Sequence, residues 1–190
     1  MTGVAELHPE AILTPTKLEL LAVWLPTQPW FTGPADDLVK LGRFRFVDPE
    51  GEVGVETLIV KSGGVTYQVP LTYRSAPLED ADDSLVGTMQ HSVLGPRWVY
   101  DGVGDPVYVA ELFRVIHEGD HEADLSSGKK TATAEGSGIV PVSNAAGESA
   151  RIVRVLDGHH IPSGRSPLGT LTAHWTDGAE ARTEIAAIIR

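Results

Sequence analysis

The sequence predicts an α+β protein in which a bent antiparallel β-sheet packs against two principal helices, both on one face of the sheet. Three observations support this fold class. Two stretches, near residues 14–26 and 105–117, combine helix-capping residues with apolar residues at helical spacing. Between them, residues 44–73 alternate apolar and polar side chains, which is the period of a strand. Apolar runs near the C-terminus add strands that extend the sheet or form a small second lobe.

Size and charge limit the possible functions. With 190 residues the chain is long enough for one sizeable core, or for one domain plus a small subdomain. Its formal net charge of −11 repels nucleic-acid backbones and anionic lipid surfaces, so we expect neither as a partner. The chain has no cysteine, which excludes disulfides, thiolate metal sites and thiol nucleophiles.

Membrane and export segments are not expected either. No run approaches the ~18 consecutive apolar residues of a membrane span. The opening residues, MTGVAELHPE, lack the basic start and the apolar run of a secretory signal. We therefore expect a cytoplasmic protein.

The first helix is predicted from its caps and its apolar stripe. Thr14 or Thr16 can act as the N-cap, and Thr16 with Glu19 has the spacing of a capping box. Pro26 ends the helix, because proline cannot continue the hydrogen-bond ladder. The residues at i, i+3, i+4 and i+7 are Leu18, Leu21, Ala22 and Leu25.

The sheet is predicted from residues 44–100. Within 44–73, three runs alternate with period two, and the last two are separated by the hairpin sequence Ser62-Gly63-Gly64. Further strands are expected at residues 84–91 and 97–100. Together these runs predict a curved antiparallel meander with a helix packed across it.

The second helix begins after the turn at residues 101–104. Asp105 is a good N-cap and Pro106 suits the first helical turn. Gly119 is a plausible terminator. The apolar residues that recur at helical spacing are Val109, Leu112, Phe113 and Ile116.

Beyond the second helix the composition changes. Residues 122–149 are polar and rich in small residues, which predicts a flexible linker between a domain at 1–121 and a small β extension at 150–190. Three strands are expected at 150–156, 168–175 and 179–188. Because three strands alone are marginal, they pack on the first unit, extend its sheet or pair with a partner chain.

The string His117-Glu118-Gly119-Asp120-His121 matches the HExxH motif of zinc proteases. That mechanism needs both histidines on one face of a helix, and Gly119 and Asp120 are poor helix formers. We interpret the string as a frayed acidic helix end and predict neither a metal nor any other cofactor. A metal-dependent hydrolase is kept as a remote alternative, with His117, His121 and Asp124 as weak candidate ligands.

Two other groups of residues are considered as candidate catalytic residues. His159 and His160 lie in a Gly/Pro/Ser-rich loop, where paired histidines are more often surface turn residues. Ser163, Ser166 and His174 suggest a hydrolase triad by composition alone, since no GxSxG elbow is present. No GxGxxG or P-loop motif occurs, so ATP-dependent catalysis by this chain alone is not expected.

Aromatic residues provide the candidate ligand-binding positions. Trp30, Trp98 and Tyr100 can line a cleft and stack on sugar rings, although core packing is the more common role of such residues. Trp24 lies among leucines and is assigned to the core, and Trp30 and Phe31 are expected to fold back onto the first helix.

Three segments resemble one known module. They are WLPTQPWF at 24–31, GVTYQVPLTYR at 64–74 and WVYDGVGDPVYVAELFRVI at 98–116. In this order they are similar to the N-terminal cap of actinobacterial maltokinases, which precedes a kinase-like body related to aminoglycoside phosphotransferases. The resemblance implies a stand-alone cap-like protein without the family's catalytic residues, which belong to that body. It assigns cap core and turn positions to Trp24, Trp30, Tyr100, Asp101, Asp105 and Pro106.

The resemblance implies a non-catalytic accessory or interaction domain associated with maltose, trehalose or glucan metabolism. Its expected partner is a kinase-like or glucan-processing enzyme, or a second copy of the chain. The alternative from the residues is a small carbohydrate-binding protein that uses Trp30, Trp98 and Tyr100.

Overall fold

A computed structural model describes residues 3–139, 149–158 and 166–190. Two α-helices lie within these residues, α1 (Lys17–Trp24) and α2 (Pro106–Glu118). The described strands up to α2 are β1 (Val4–Ala5), β2 (Leu13–Thr14), β3 (Val39–Val47), β4 (Gly54–Ser62), β5 (Val65–Arg74), β6 (Leu85–His91) and β7 (Gly95–Asp101). Those after α2 are β8 (Asp124–Leu125), β9 (Ala132–Gly136), β10 (Ala150–Ile152), β11 (Gly169–Asp177) and β12 (Glu180–Ile189).

The larger sheet has six strands in the order β2-β6-β7-β5-β4-β3, and every neighbouring pair is antiparallel. The turn predicted at residues 62–64 joins β4 to β5, and β6 and β7 form the next hairpin. Register shifts after Lys40 and Leu85 mark bulges, which bend a sheet and increase its twist. The fold class is α+β, as predicted.

The helix positions correct one expectation, because α1 and α2 lie on opposite faces of this sheet. Leu21 of α1 packs with Leu58 of β4, whereas Leu112 of α2 packs with Ile59 of the same strand. Neighbouring residues of a strand point to opposite faces. Every residue of β4 from 55 to 60 is buried, so this strand needs cover on both sides.

The ends of both helices follow the local sequence. Thr16 caps α1 in the predicted capping box with Glu19, and the helix runs into a 3-10 turn that contains Pro26. Asp105 caps α2, which ends at Gly119 with a left-handed φ of 63°. The longer helix has 13 residues, and no described helix is long and apolar enough to cross a membrane.

The C-terminal strands form a second sheet, in the order β10-β12-β11-β9. Its inner side chains, including Leu171, Ala173 and Ile189, belong to the same hydrophobic core as Phe44 and Phe46 of β3. Helix α2 contacts strands of both sheets. Of the arrangements that the sequence left open, these strands pack on the first unit as a separate sheet and share its core.

A short segment after β10 nevertheless joins the larger sheet. Strand β7 pairs with β5 only at residues 71–74, which leaves the earlier part of that β5 edge without a β7 partner. There Val155 forms an antiparallel bridge with Tyr67, and the backbone N–H of Gln68 donates to the carbonyl of Arg154 at 3.0 Å. The Gln68 side-chain amide also donates to the carbonyls of Val153 (2.6 Å) and Ala186. These bonds tie the second sheet to the first.

Regular structure also occurs within residues 122–149, which the composition predicts to be a flexible linker. Strand β8 pairs with β1, and β9 pairs with β11 with Ala132 and Ala134 buried. A Cβ on Gly136 would lie 2.0 Å from the carbonyl oxygen of Val115, so this glycine permits close packing against α2. The small residues here serve packing, and the linker prediction is corrected for 124–125 and 132–136. Residues 140–148 lie outside the described part of the chain.

Candidate functional site

A cleft of about 920 Å³ lies on the α1 face of the larger sheet. Residues from β3, β4 and the end of β5 form one side, and the N-terminal segment, the start of α1 and the β6–β7 hairpin complete it. Helix α1 has only eight residues and therefore covers only part of the sheet. The N-terminal segment is held by the pairing of β1 with β8 and by a 2.8 Å bond from the Leu7 N–H to the Ser126 hydroxyl.

A buried carboxylate organises the polar side of this cleft. Glu56 has a side chain with 0% exposure, and it accepts hydrogen bonds from three side chains that line the cleft. The Arg43 guanidinium donates to it at 2.9 Å, the Tyr73 hydroxyl at 2.8 Å, and the Lys17 ammonium also donates to it. The Lys17 ammonium additionally lies 4.9 Å from the centre of the Tyr73 ring. One carboxylate therefore fixes two cations and a phenol.

The electrostatic environment keeps Glu56 ionised. Burial by itself raises its pKa, but the charges of Lys17, Arg45 and Arg43 outweigh burial and hold the pKa far below its usual range. Burial raises the pKa of Tyr73 well above 10, and the neighbouring Glu56 charge adds to that effect. Glu56 is thus a permanent carboxylate and Tyr73 a permanent hydroxyl donor at neutral pH.

Such an arrangement is suited to binding rather than to acid–base chemistry. A general base works best when its pKa lies near the working pH, and the pKa of Glu56 lies far below it. The carboxylate instead positions cationic side chains at the surface of the cleft.

A second buried carboxylate, Asp105, holds the start of α2. It accepts two hydrogen bonds of 2.7 Å from Arg74, one of 2.6 Å from Thr72 and one of 2.9 Å from the Val107 N–H. Burial raises its pKa, but the bonds from Arg74, Thr72 and Val107 reverse this and lower the pKa overall. Asp105 links β5 to α2, a structural role in keeping with its assignment as a turn position.

Trp30, a candidate ligand-binding residue, lies in a cluster of side chains. Its ring is 6.0 Å from Trp24 and 6.1 Å from Tyr67 between centroids, and the Arg154 guanidinium lies 4.9 Å from its centre. Arg154 also donates to Asp101 at 2.5 Å. Trp30 folds back onto α1 as expected, and it helps to hold the segment that follows β10.

The other two aromatic candidates, Trp98 and Tyr100, lie on the face of the larger sheet that is opposite to Trp30. Trp98 and Tyr100 are two residues apart on β7 and therefore share a face, where Tyr100 pairs with Thr72. Tyr100 is only 2% exposed, and its hydroxyl accepts a 2.9 Å bond from the Leu78 N–H. Trp98 is half-buried. The structure brings Trp98 and Tyr100 together and leaves Trp30 apart from them.

The HExxH string does not lie on one helix, because α2 ends at Glu118 and Gly119 adopts the left-handed conformation. Glu118 and Asp120 both form ion pairs with Arg114, and Asp124 pairs with Lys130. Within the described residues, no group of three or more His, Asp or Glu side chains is arranged to hold a metal ion. The chain reversal at Gly119 separates the two histidines from the helical geometry that zinc proteases use.

Three of the remaining candidate residues, His159, His160 and Ser163, lie outside the described part of the chain. His174 is described, and its Nδ1 lies 3.0 Å from the Thr183 hydroxyl on the neighbouring strand. Its Nε2 lies 3.5 Å from Glu135. Ser166 is exposed.

Sequence reasoning missed the Glu56 cluster. The available signal was a glutamate inside the otherwise apolar run VGVETLIV, together with two arginines that alternate with phenylalanines on the adjacent strand. The alternation of Arg43 and Arg45 predicts only that they share a face. The N-terminal segment and α1, which are distant from these strands in the sequence, partly enclose this face.

Architecture and cleft together define an α+β domain built on a bent antiparallel sheet, with one helix capped by a buried aspartate. Residues 24–105 match the family model of the maltokinase N-terminal cap domain. The matched range contains β3 to β7 and ends at the cap of α2. The chain thus contains a maltokinase-cap-like domain, and the resemblance found from its residues is confirmed. None of the curated proteins compared with the chain matches it.

Proposed function

We propose that this chain is a non-catalytic accessory domain that binds a kinase-like or glucan-processing protein in cytoplasmic maltose, trehalose or glucan metabolism. The observation that carries the proposal is the match of residues 24–105 to the cap domain of a kinase. A cap is an appended module, and the buried carboxylates of this chain are engaged in fixing neighbouring side chains rather than poised for proton transfer.

An exposed group of apolar side chains offers a docking surface for such a partner. Ile12, Val93 and Leu94 are 70%, 59% and 44% exposed, and we call this group the apolar tip. Two bonds between Ile12 and Ser92, of 2.9 and 3.0 Å, hold the N-terminal segment against the β6–β7 turn. Contiguous exposed apolar residues are typical of interaction surfaces, and this one lies beside the cleft, which Leu94 also lines.

The test measures binding of the purified chain to two purified proteins, a maltokinase catalytic domain without its own cap and a glucan-branching enzyme. Biolayer interferometry is expected to give micromolar affinity for one of them. Val93→Asp is expected to weaken that binding at least about tenfold, since a charge placed at the contact must be desolvated. Val23→Asp is the matched control, because Val23 is 77% exposed on α1 and outside the apolar tip.

Failure of the wild-type chain to bind either protein, together with a monomer in light scattering, contradicts the proposal. A dimer that Val93→Asp dissociates assigns the apolar tip to self-association instead. Equal binding by the Val93→Asp and Val23→Asp variants removes the apolar tip as the contact.

A carbohydrate-binding role remains the alternative, favoured by the partial exposure of Trp98 beside Tyr100 on β7. Calorimetry with maltose, trehalose and glycogen tests it. If a sugar binds, and Trp98→Ala abolishes this binding while Trp30→Ala does not, then Trp98 and Tyr100 form the carbohydrate-binding site. The absence of heat with all three sugars removes it.

A further inference from the structure

The cleft on the α1 face carries positive charge, although the protein as a whole is acidic. Lys17, Arg43 and Arg45 are close enough to influence one another electrostatically, and the carboxylate they share is Glu56. The three cations outnumber that carboxylate by two. Three further carboxylates line the cleft. Glu6 and Glu52 are exposed to solvent, where their charges are screened. The third, Asp48, is buried and accepts hydrogen bonds from three backbone N–H groups of the following turn.

Arg45 is the cation that Glu56 does not bind directly. Within the described residues its guanidinium forms no ion pair, and its one hydrogen bond is a long 3.5 Å contact from Nη1 to the Glu6 carbonyl. Its Nε is buried, and no residue in the described part of the chain forms a hydrogen bond with it. Buried polar atoms in native structures are nearly always satisfied, so Arg45, which lines the cleft, has hydrogen-bonding capacity that the described residues leave unused.

We propose that this cleft binds a small phosphorylated organic molecule, with Arg45 as the residue that contacts the phosphate. A guanidinium matches the oxygen geometry of phosphate and can donate two parallel hydrogen bonds to it. A phosphate monoester carries about −1.5 to −2 charges at neutral pH, and these charges are attracted by the cationic side chains that line the cleft.

The size and lining of the cleft favour an organic phosphate over inorganic phosphate as its ligand. A volume of about 920 Å³ is near the upper end of the roughly 300–1,000 Å³ of small-molecule sites and far exceeds one phosphate ion. Apolar side chains of Leu18, Leu58 and Met89 also line it. Arg97 and His91 lie at the hairpin side, where the rest of the ligand extends.

Isothermal titration calorimetry on the isolated chain tests this proposal. The probes are glucose 6-phosphate, AMP and inorganic phosphate, with glucose as the uncharged control, all at matched ionic strength. Glucose 6-phosphate or AMP is expected to bind, and the one that binds shows whether the organic group is a sugar or a nucleoside. Glucose is expected to give no heat.

Arg45→Gln is expected to raise the dissociation constant at least about tenfold, because it removes a charge-assisted hydrogen bond to the phosphate. Arg45→Lys keeps the charge but not the planar fork, and is expected to recover part of the affinity. The matched control is Arg151→Gln, which removes the same charge from an exposed arginine on β10.

Amide chemical-shift changes in the wild-type chain supply a readout that does not depend on a variant. On addition of the bound probe they are expected at Lys17, Arg45 and Gly54, which line the cleft. The proposal is overturned if neither phosphorylated organic probe binds, if inorganic phosphate alone binds, or if Arg45→Gln and Arg151→Gln behave alike.

This test is independent of the proposed partner protein, since it uses the chain alone. Val93→Asp, which disrupts the apolar tip, is expected to bind the probe as the wild type does. Loss of partner binding with retained probe binding therefore separates the two proposals.

Discussion

The two faces of the six-stranded sheet differ in what they bury. The α2 face buries mainly apolar side chains, such as Phe44, Ile59 and Leu112, in a core that continues into the second sheet. Its buried carboxylate Asp105 is held by Arg74 and Thr72 at the start of α2. The α1 face buries Leu58 and Val69 under α1 but, toward β3, leaves a cleft around a buried carboxylate. Apolar burial stabilises a fold without needing any specific partner, whereas buried charge must be compensated group by group. The α2 face therefore supplies stability, and the α1 face supplies the more specific surface.

The length of α1 accounts for much of this difference. Its eight residues and the following 3-10 turn cover the middle of the sheet, and the N-terminal segment crosses the rest without a helix. On the other face, the 13 residues of α2 and four further strands complete the cover. The incompletely covered region is where the unsatisfied Arg45 lies.

Truncation of the apolar core on the α2 face is expected to have the largest effect. Phe44 is 3% exposed and packs against Phe46 at 5.7 Å between ring centres. Phe44→Ala is expected to lower the free energy of unfolding by about 4 kcal/mol through lost burial and the cavity left behind. Urea unfolding followed by circular dichroism measures it. Val39→Ala, at a 53% exposed position on the same strand, should change stability by less than about 0.5 kcal/mol.

Removing the buried charge of the α1 face is expected to rank second. Glu56→Gln leaves Lys17 and Arg43 without their carboxylate and should cost about 3 kcal/mol at pH 7. Its control is Glu52→Gln, at an exposed position of the same cleft. Equal urea midpoints for the two variants would show that the cluster contributes nothing to stability.

Acid should reduce the difference between wild type and Glu56→Gln. The folded-state pKa of Glu56 is lowered relative to an unfolded value of about 4.3. Its contribution is therefore complete above about pH 4.3 and decreases as the pH falls toward the folded-state value. Urea titrations at pH 7, 5 and 3.5 are expected to show a stability gap that narrows below pH 5. A constant gap contradicts the charge-based explanation.

The link between the two sheets is expected to matter less than either core. Gln68→Met removes the amide that donates to the Val153 and Ala186 carbonyls, at a cost of about 2 kcal/mol for two buried acceptors left unpaired. Hydrogen exchange localises the effect. Amides of β10 and of the β12 end that pairs with it should exchange faster than those of β4. A uniform change across both sheets argues against a local link.

The cap of α1 is expected to give the smallest effect. Thr16→Ala removes the side-chain acceptor for the Glu19 N–H and should cost about 1 kcal/mol. Thr16→Ser retains the hydroxyl and should be close to wild type. Thermal unfolding distinguishes them, and a similar loss in both variants assigns the effect to the threonine methyl group.

Local patterns predicted the elements whose signals lie within a few residues. Thr16 with Glu19, Asp105 with Pro106, and Gly119 fixed the helix ends because capping satisfies backbone groups of the adjacent turn. The alternating runs predicted β3 to β5, and the three C-terminal strands were also anticipated. Strand β9 was not, because a run of alanines and threonines has no strong apolar period, and its burial depends on α2 and β11.

The sequence indicated aromatic residues as candidates for the site, whereas the site in the structure is formed by charged residues. Trp30 and Tyr100 were noticed because large aromatic side chains are conspicuous in any sequence, but each contacts a different part of the fold. Glu56 becomes noticeable only when Lys17 and Arg43 are seen to converge on it.

The sequence by itself determined the helix ends, the main hairpins, the absence of thiol chemistry and the resemblance to a kinase cap, since all of these depend on neighbouring residues or on residue order. The tertiary structure alone decided which face of the sheet each helix covers, that the C-terminal strands build a second sheet on the same core, and that cations surround a buried carboxylate. These features join residues tens of positions apart. Their energies depend on burial and on distances between side chains, which a linear pattern does not contain.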